Sequence, residues 1–299
     1  MIDLNHDQLL FSFPEVHPDA KMTIEFQRTL RIPDGEREFP LLPGLGRFPL
    51  FPVRDLVEGG AAPWLDKVEA MLPMYQSEAM WLSFRPSYSV AHEAFYPFAI
   101  KIRTGQKDAV SGRQWSTALH RHPQDYLVLQ EQSWLGGFSN GHGLVHQFVA
   151  VPFGNKEIEG LETPDLDNKG QVQIEVYPLA RRAFDLYHPT DSWKRHLNAT
   201  RSRQGGNGSI EHGAQAELEP QKLNRNSFRH EDWDREARST YSIHLANSLQ
   251  WCAMTGSPPP SPPLSARLAT HLEKEQDSHI HLSQQPWRTL KPRTKTPVG

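Results

Sequence analysis

Between Met22 and Ile32 the even positions read Met, Ile, Phe, Arg, Leu and Ile while the odd positions are polar, and a period of two is the pattern of a half-buried strand. Arg28 is the one misfit in the apolar stripe. Later runs of the same character are Ala79–Phe84, Tyr96–Thr104, Tyr126–Gln130, Leu144–Phe153 and Gln171–Tyr177, the last alternating cleanly through Val172, Ile174 and Val176. Glycines at 105, 112, 136, 137, 141, 143, 154 and 170 fall between these runs, where hairpin connections need a positive φ. Strands in series with short turns and few helices predict an α+β fold, mainly antiparallel β as one sheet or a sandwich. They argue against the repeated βαβ units of parallel dinucleotide folds.

The remaining segments sort by their breakers. The run Phe39–Pro49 holds too many prolines for a helix or a central strand and reads as an extended apolar segment lying over a core. Trp64–Leu72 has Pro63 at its first turn and Pro73 at its end, which predicts a short helix. Tyr241, Ile243 and Leu245 alternate before the unbroken stretch Ala246–Met254, so a strand should lead into a C-terminal helix that Gly256 stops. Residues 190–236 carry only isolated apolar side chains and predict a disordered insertion, and residues 257–299 open on a proline run and predict a polar, disordered tail. The domain reading is one β-rich globular unit over 1–256 followed by that tail.

Charge and cysteine content narrow the setting. With 32 basic against 35 acidic residues, no net field drives the chain toward nucleic acid or an anionic membrane. Cys252 is the one cysteine, which rules out an internal disulfide and suits a reducing compartment. Its place between Trp251 and Ala253 suggests a small core residue. No apolar stretch approaches the roughly 18 residues of a membrane span, and Met1–Pro14 lacks a basic leader, so a cytoplasmic or nuclear protein is expected.

Several stretches together resemble a family of uncharacterised bacterial and filamentous-fungal proteins without an assigned activity. The matching residues are Met22–Pro33, Pro43–Pro49, Pro73–Leu82, Gln124–Val128, Gln147–Ala150 and His244–Ser248 through Thr255–Gly256. The likeness spans most of residues 20 to 263 and implies a domain extent without a mechanism. Two departures stand out: the family pattern has Trp-Leu-Asp-Gly where this chain has Trp134-Leu-Gly-Gly137, and Asn-Ala-Val-Ser-Gly where this chain has Asp108-Ala-Val-Ser-Gly112.

Candidate chemistry rests on a few side chains. His120 and His122 lie two apart and would share a strand face, so a third imidazole such as His146 could complete a metal site. Tyr126 and Leu127 stand where the cupin version of that site needs a glutamate, and Pro123 makes the pair look like a loop. His92-Glu93 opens like a helical zinc-protease motif, but position 96 is Tyr96 rather than histidine. Gly141-His-Gly143 and Gly44-Leu-Gly46 lack the third glycine of a phosphate-cradling loop. Asp125 and Tyr126, with Gln132, Trp134 and Gln147 on neighbouring segments, offer polar and aromatic groups that could converge on a ligand, set against their ordinary use as core and strand-edge residues.

These features favour a ligand- or protein-binding role, with no cofactor evident beyond a possible metal. A small-molecule enzyme, metal-dependent or not, is the alternative, and an accessory or tailoring protein of a secondary-metabolite pathway is a third. The sequence alone leaves open whether the chain is an enzyme.

Overall fold

The computed structural model describes residues 1–31, 43–56, 67–129, 133–139, 141, 145–150, 170–190 and 227–264. The chain opens with β1 (Ile2–Asn5), β2 (Gln8–Ser12) and β3 (Lys21–Leu30). Next come β4 (Phe51–Pro52), helix α1 (Val53–Leu56), β5 (Ala70–Met74), β6 (Glu78–Pro86), β7 (Tyr88–Ser89), β8 (Ala94–Phe95) and β9 (Phe98–Thr104). The short strands β10 (Lys107–Asp108), β11 (Leu127–Leu129), β12 (Trp134–Leu135), β13 (Phe138–Ser139) and β14 (Val145–His146) precede β15 (Gln171–Pro178). Helix α2 (Arg181–Tyr187), β16 (Ser239–Asn247) and helix α3 (Ser248–Thr255) complete the order. This is the α+β, mainly antiparallel architecture the alternation predicts.

Two sheets carry the structure. The first runs β1-β2-β3-β6-β12, antiparallel throughout, and β1 turns into β2 through His6 and Asp7, both at positive φ as a tight two-residue hairpin requires. The second runs β10-β9-β15-β16-β5-β4 with β11 also on β9, and its β16–β5 pair is parallel. Met22, Ile24 and Phe26 of β3, Met80, Leu82 and Phe84 of β6, Ile100 and Ile102 of β9, and Val172, Ile174 and Val176 of β15 belong to one apolar cluster. The opposite face of the second sheet is covered as well. Lys101 and Glu175 sit side by side across β9 and β15, and both are buried.

The breakers behave in instructive ways. Residues Leu45 to Phe48 run beside β3 beyond the end of β2, exchanging backbone hydrogen bonds with Phe26 and Arg28, and Phe48 enters the core. Helix α3 is capped by Asn247, which takes the Leu249 and Gln250 amides, and ends at Gly256 in the left-handed region. The helix expected over Trp64–Leu72 is overturned where it can be seen. Ala70, Met71 and Leu72 form β5, because they are buried on both faces, Leu72 in the main core and Met71 against Ala246 and Trp251. Pro73, which lacks an N–H, falls past the end of β4 and so breaks no bond to it. Cys252 is exposed rather than a core residue, since α3 buries only Trp251.

Two further stretches differ from the expectation of disorder. Residues 191–226 and 265–299 lie outside the described residues. Ser227–Glu236 are placed, with Phe228 and Trp233 buried edge to face in the main core, and isolated aromatics of this size bury enough apolar area to order a short segment. Ser257–Leu264 is also placed, with Leu264 buried against Leu45 and Leu30. Arg28, the misfit of the β3 stripe, is explained here: its guanidinium pairs with buried Glu78, lies 5.6 Å from the Phe48 ring and donates to the Pro262 carbonyl.

Asp108 shows what an unmatched charge does in such a body. Its Oδ1 accepts from the Val110 and Ser111 amides and the Ser111 hydroxyl, while its Oδ2 is buried with no hydrogen-bond partner among the described residues. Burial pushes the carboxyl up to about 6. The folded-state value lies above the unfolded one, so the group favours the fold below about pH 4, and that advantage is lost as pH rises through 6, a swing of roughly 3 kcal/mol. Asp108→Asn should therefore gain about 1–3 kcal/mol at pH 8 and little at pH 4, read by urea denaturation at both pH values. An equal effect at both would refute the electrostatic account.

Candidate functional site

The residues singled out from sequence occupy two places. Asp125 and Tyr126 precede β11 on the second sheet, Tyr126 fully buried with its ring edge-on to Trp233. Trp134 pairs with Ser83 in β12, and Gln147 donates to the Leu30 carbonyl, so both are positioned by the first sheet. Gln132 lies outside the described residues. His120 is held against Asp125, His122 is exposed in the turn after it, and His146 is exposed on β14 opposite Phe138.

Around Asp125 the hydrogen bonding is full. Lys101 Nζ donates to the Ser116 carbonyl (2.7 Å), the Ala118 carbonyl (2.6 Å) and Asp125 Oδ2 (2.7 Å), which uses all three of its protons, and it lies 4.8 Å from the Trp115 ring. Asp125 also accepts from the His120 backbone (2.7 Å) and stands 2.8 Å from His120 Nδ1. An ammonium at 0 % exposure with every proton satisfied ties the 115–125 segment to the sheet and offers nothing to a ligand.

A different cluster has the opposite character. His17 lies in the turn between β2 and β3, Ser89 ends β7, His92 sits in the tight loop to β8 beside Glu93 at positive φ, and Asp185 projects from α2. The α2 helix buries Ala183 and Phe184 and leaves Asp185 half-exposed at the mouth of the cluster. Phe184 and Tyr96 wall it in: the His17 ring stacks on Tyr96 at 5.4 Å and meets Phe184 at 5.3 Å, and the two imidazoles stand 5.2 Å apart edge to face. Tyr96 is locked by donating to the Leu179 carbonyl. One ligating atom each from His17, His92 and Asp185 lies within 4.8 Å of the others.

The proton inventory of this cluster is the decisive detail. Ser89 Oγ lies 2.6 Å from Asp19 Oδ2 and 3.0 Å from His92 Nδ1. A hydroxyl has one proton, and the carboxylate can only accept, so that proton goes to Asp19 and His92 Nδ1 must be the donor to Ser89. A neutral imidazole then presents the lone pair of Nε2 toward Asp185 Oδ1 at 3.0 Å. Two acceptors that close require a cation between them, either a proton or a metal ion. Burial lowers the His17 imidazole below its ordinary value, against the pull of Asp19, and burial likewise lowers His188, with His92 adding to the effect. Both are thereby kept in the neutral form that ligates metals.

The sequence carried part of this. His92 was visible but its partners come from turns and a helix far along the chain, and no local spacing announces them. No family model, curated protein or solved structure matches this chain. Among the described residues no helix is long and apolar enough to cross a membrane. Removing one member of the buried Lys101–Asp125 pair strands the other, so Asp125→Ala should lose about 3–5 kcal/mol of stability in thermal melts while leaving metal uptake by the folded fraction unchanged.

Proposed function

We propose that this chain binds a divalent metal ion through His92 Nε2, the Asp185 carboxylate and His17, and uses it on a small molecule. The observation that carries this is the grouping of His17, His92 and Asp185 with one ligating atom each within 4.8 Å of the others, His92 Nε2 standing 3.0 Å from Asp185 Oδ1. Two ligands each about 2.1 Å from an ion and at right angles to one another stand about 3.0 Å apart, which is the separation found here. Two imidazoles and one carboxylate form the set used by catalytic zinc and non-haem iron sites, where the remaining positions stay open. The Asp19–Ser89 pair would act behind His92 as the outer partner that fixes its tautomer and orientation. His17 joins by exchanging the bond its Nδ1 accepts from the Asp19 amide. When bound, the ion supplies Lewis acidity toward water or a carbonyl oxygen.

A ligand- or protein-binding role without metal is the second reading. It is favoured by the exposure of Tyr88, Val90, Phe95 and Leu186, which flank Ser89, His92 and Asp185 in sequence. The likeness to the uncharacterised bacterial and fungal family is compatible with either.

Titration of the chelator-treated chain with zinc, followed calorimetrically, should give one site per chain. His92→Ala should abolish it, Ser89→Ala should weaken it about 10–100-fold, and His120→Ala should leave it unchanged. Zinc binding that survives His92→Ala, or that His120→Ala removes, would place the ion elsewhere.

A further inference from the structure

The buried ion pair Arg28–Glu78 lies at the core-facing end of the first sheet, on β3 and β6. Backbone atoms of a remote segment supply part of its hydrogen bonding, while Arg28 Nε has no hydrogen-bond partner among the described residues. Arg28 Nη2 donates to the Pro262 carbonyl at 2.7 Å, and Glu78 Oε1 accepts the Leu264 amide at 3.0 Å. The Ser77 hydroxyl approaches the Leu264 carbonyl at 3.5 Å. Within that segment Leu264 is buried between Leu30 and Leu45 and Pro259 is buried as well, whereas Pro262 and Pro263 are exposed.

This is how a protein reads an extended peptide: charged side chains take a carbonyl at one residue and an amide two residues on, and a pocket takes up the side chain beside them. Proline suits the intervening positions because its fixed φ lowers the entropy lost on docking, and Leu264 supplies the first amide after Pro262 and Pro263. Nothing in these contacts requires that the peptide belong to the same chain. We propose that the Arg28–Glu78 face with the Leu30–Leu45 pocket is a recognition site for an extended Pro-Pro-Leu peptide, filled here by the chain's own Ser257–Leu264. Tethered just beyond α3, that segment holds the site by proximity, and a partner bearing the same three residues competes for it.

The test uses the full-length chain, wild type and Leu264→Asp, and a fluorescent peptide of sequence Pro-Pro-Ser-Pro-Pro-Leu-Ser. The substitution puts a charge in the pocket and should release the segment, so the variant should bind the peptide at least tenfold more tightly than wild type. A peptide with Asp in place of its Leu should bind neither. A variant that keeps its circular dichroism spectrum but takes up no peptide overturns the proposal, as does equal binding by both chains. Hydrogen exchange of the wild-type Leu264 amide serves if the variant does not fold. Exchange faster than that of the Ile24 amide supports a releasable segment, and exchange only with global unfolding shows an integral part of the fold and overturns it.

Discussion

Two sheets that bury their facing surfaces in one apolar core leave no room inside it for an unpaired charge, and the placement of nearly every polar residue follows from that constraint. Arg28 is carried to the core-facing end of its strand by the alternation, so it needs Glu78 beside it and a carbonyl beyond. Lys101 points to the other side of the second sheet, where three oxygen acceptors and the Trp115 ring receive it. Asp108 is the case where the match is incomplete, and its carboxyl responds by holding its proton to higher pH.

Against this background the His17–His92–Asp185 group differs in kind. Lys101 and Asp125 form a closed account in which donors and acceptors balance, and such a site is held rigid by its own completeness. In the histidine group the serine and its carboxylate engage one nitrogen of His92, and the second nitrogen faces a carboxylate, so that a proton or a metal ion must lie between them. The deficit of one cation is built in by neighbours that play no direct part in ligation. Its carboxylate is half-exposed, while burial among the aromatic rings lowers the His17 imidazole below its ordinary value.

Much of the sheet was legible because alternation is local. Met22–Leu30, Ala79–Phe84, Phe98–Thr104 and Gln171–Tyr177 all state their strands within ten residues or fewer, and Gly256 marks the end of the last helix. Ala70–Leu72 failed because two flanking prolines imitate helix ends, whereas burial on both faces, a tertiary fact, decided for strand. The site was hidden for a similar reason. His92 looked like half of a helical zinc motif, but its companions are set by the β2–β3 turn and by α2, and only the fold brings a turn, a loop and a helix to one point. Asp125 and His120 do meet, as their proximity in sequence allows, but around a lysine that no motif links to them.

The parallel pairing of β16 with β5 has a consequence for how the chain reaches this structure. β16 is sandwiched between β15 and β5, and it is drawn from residues 239–247, so the middle of the second sheet is supplied after both of its neighbours. Until it emerges, β5 and β15 present open hydrogen-bonding edges to any other chain nearby. The second sheet must therefore stay open until residues 239–247 are made, and its vulnerability to misassembly is greatest just before β16 arrives.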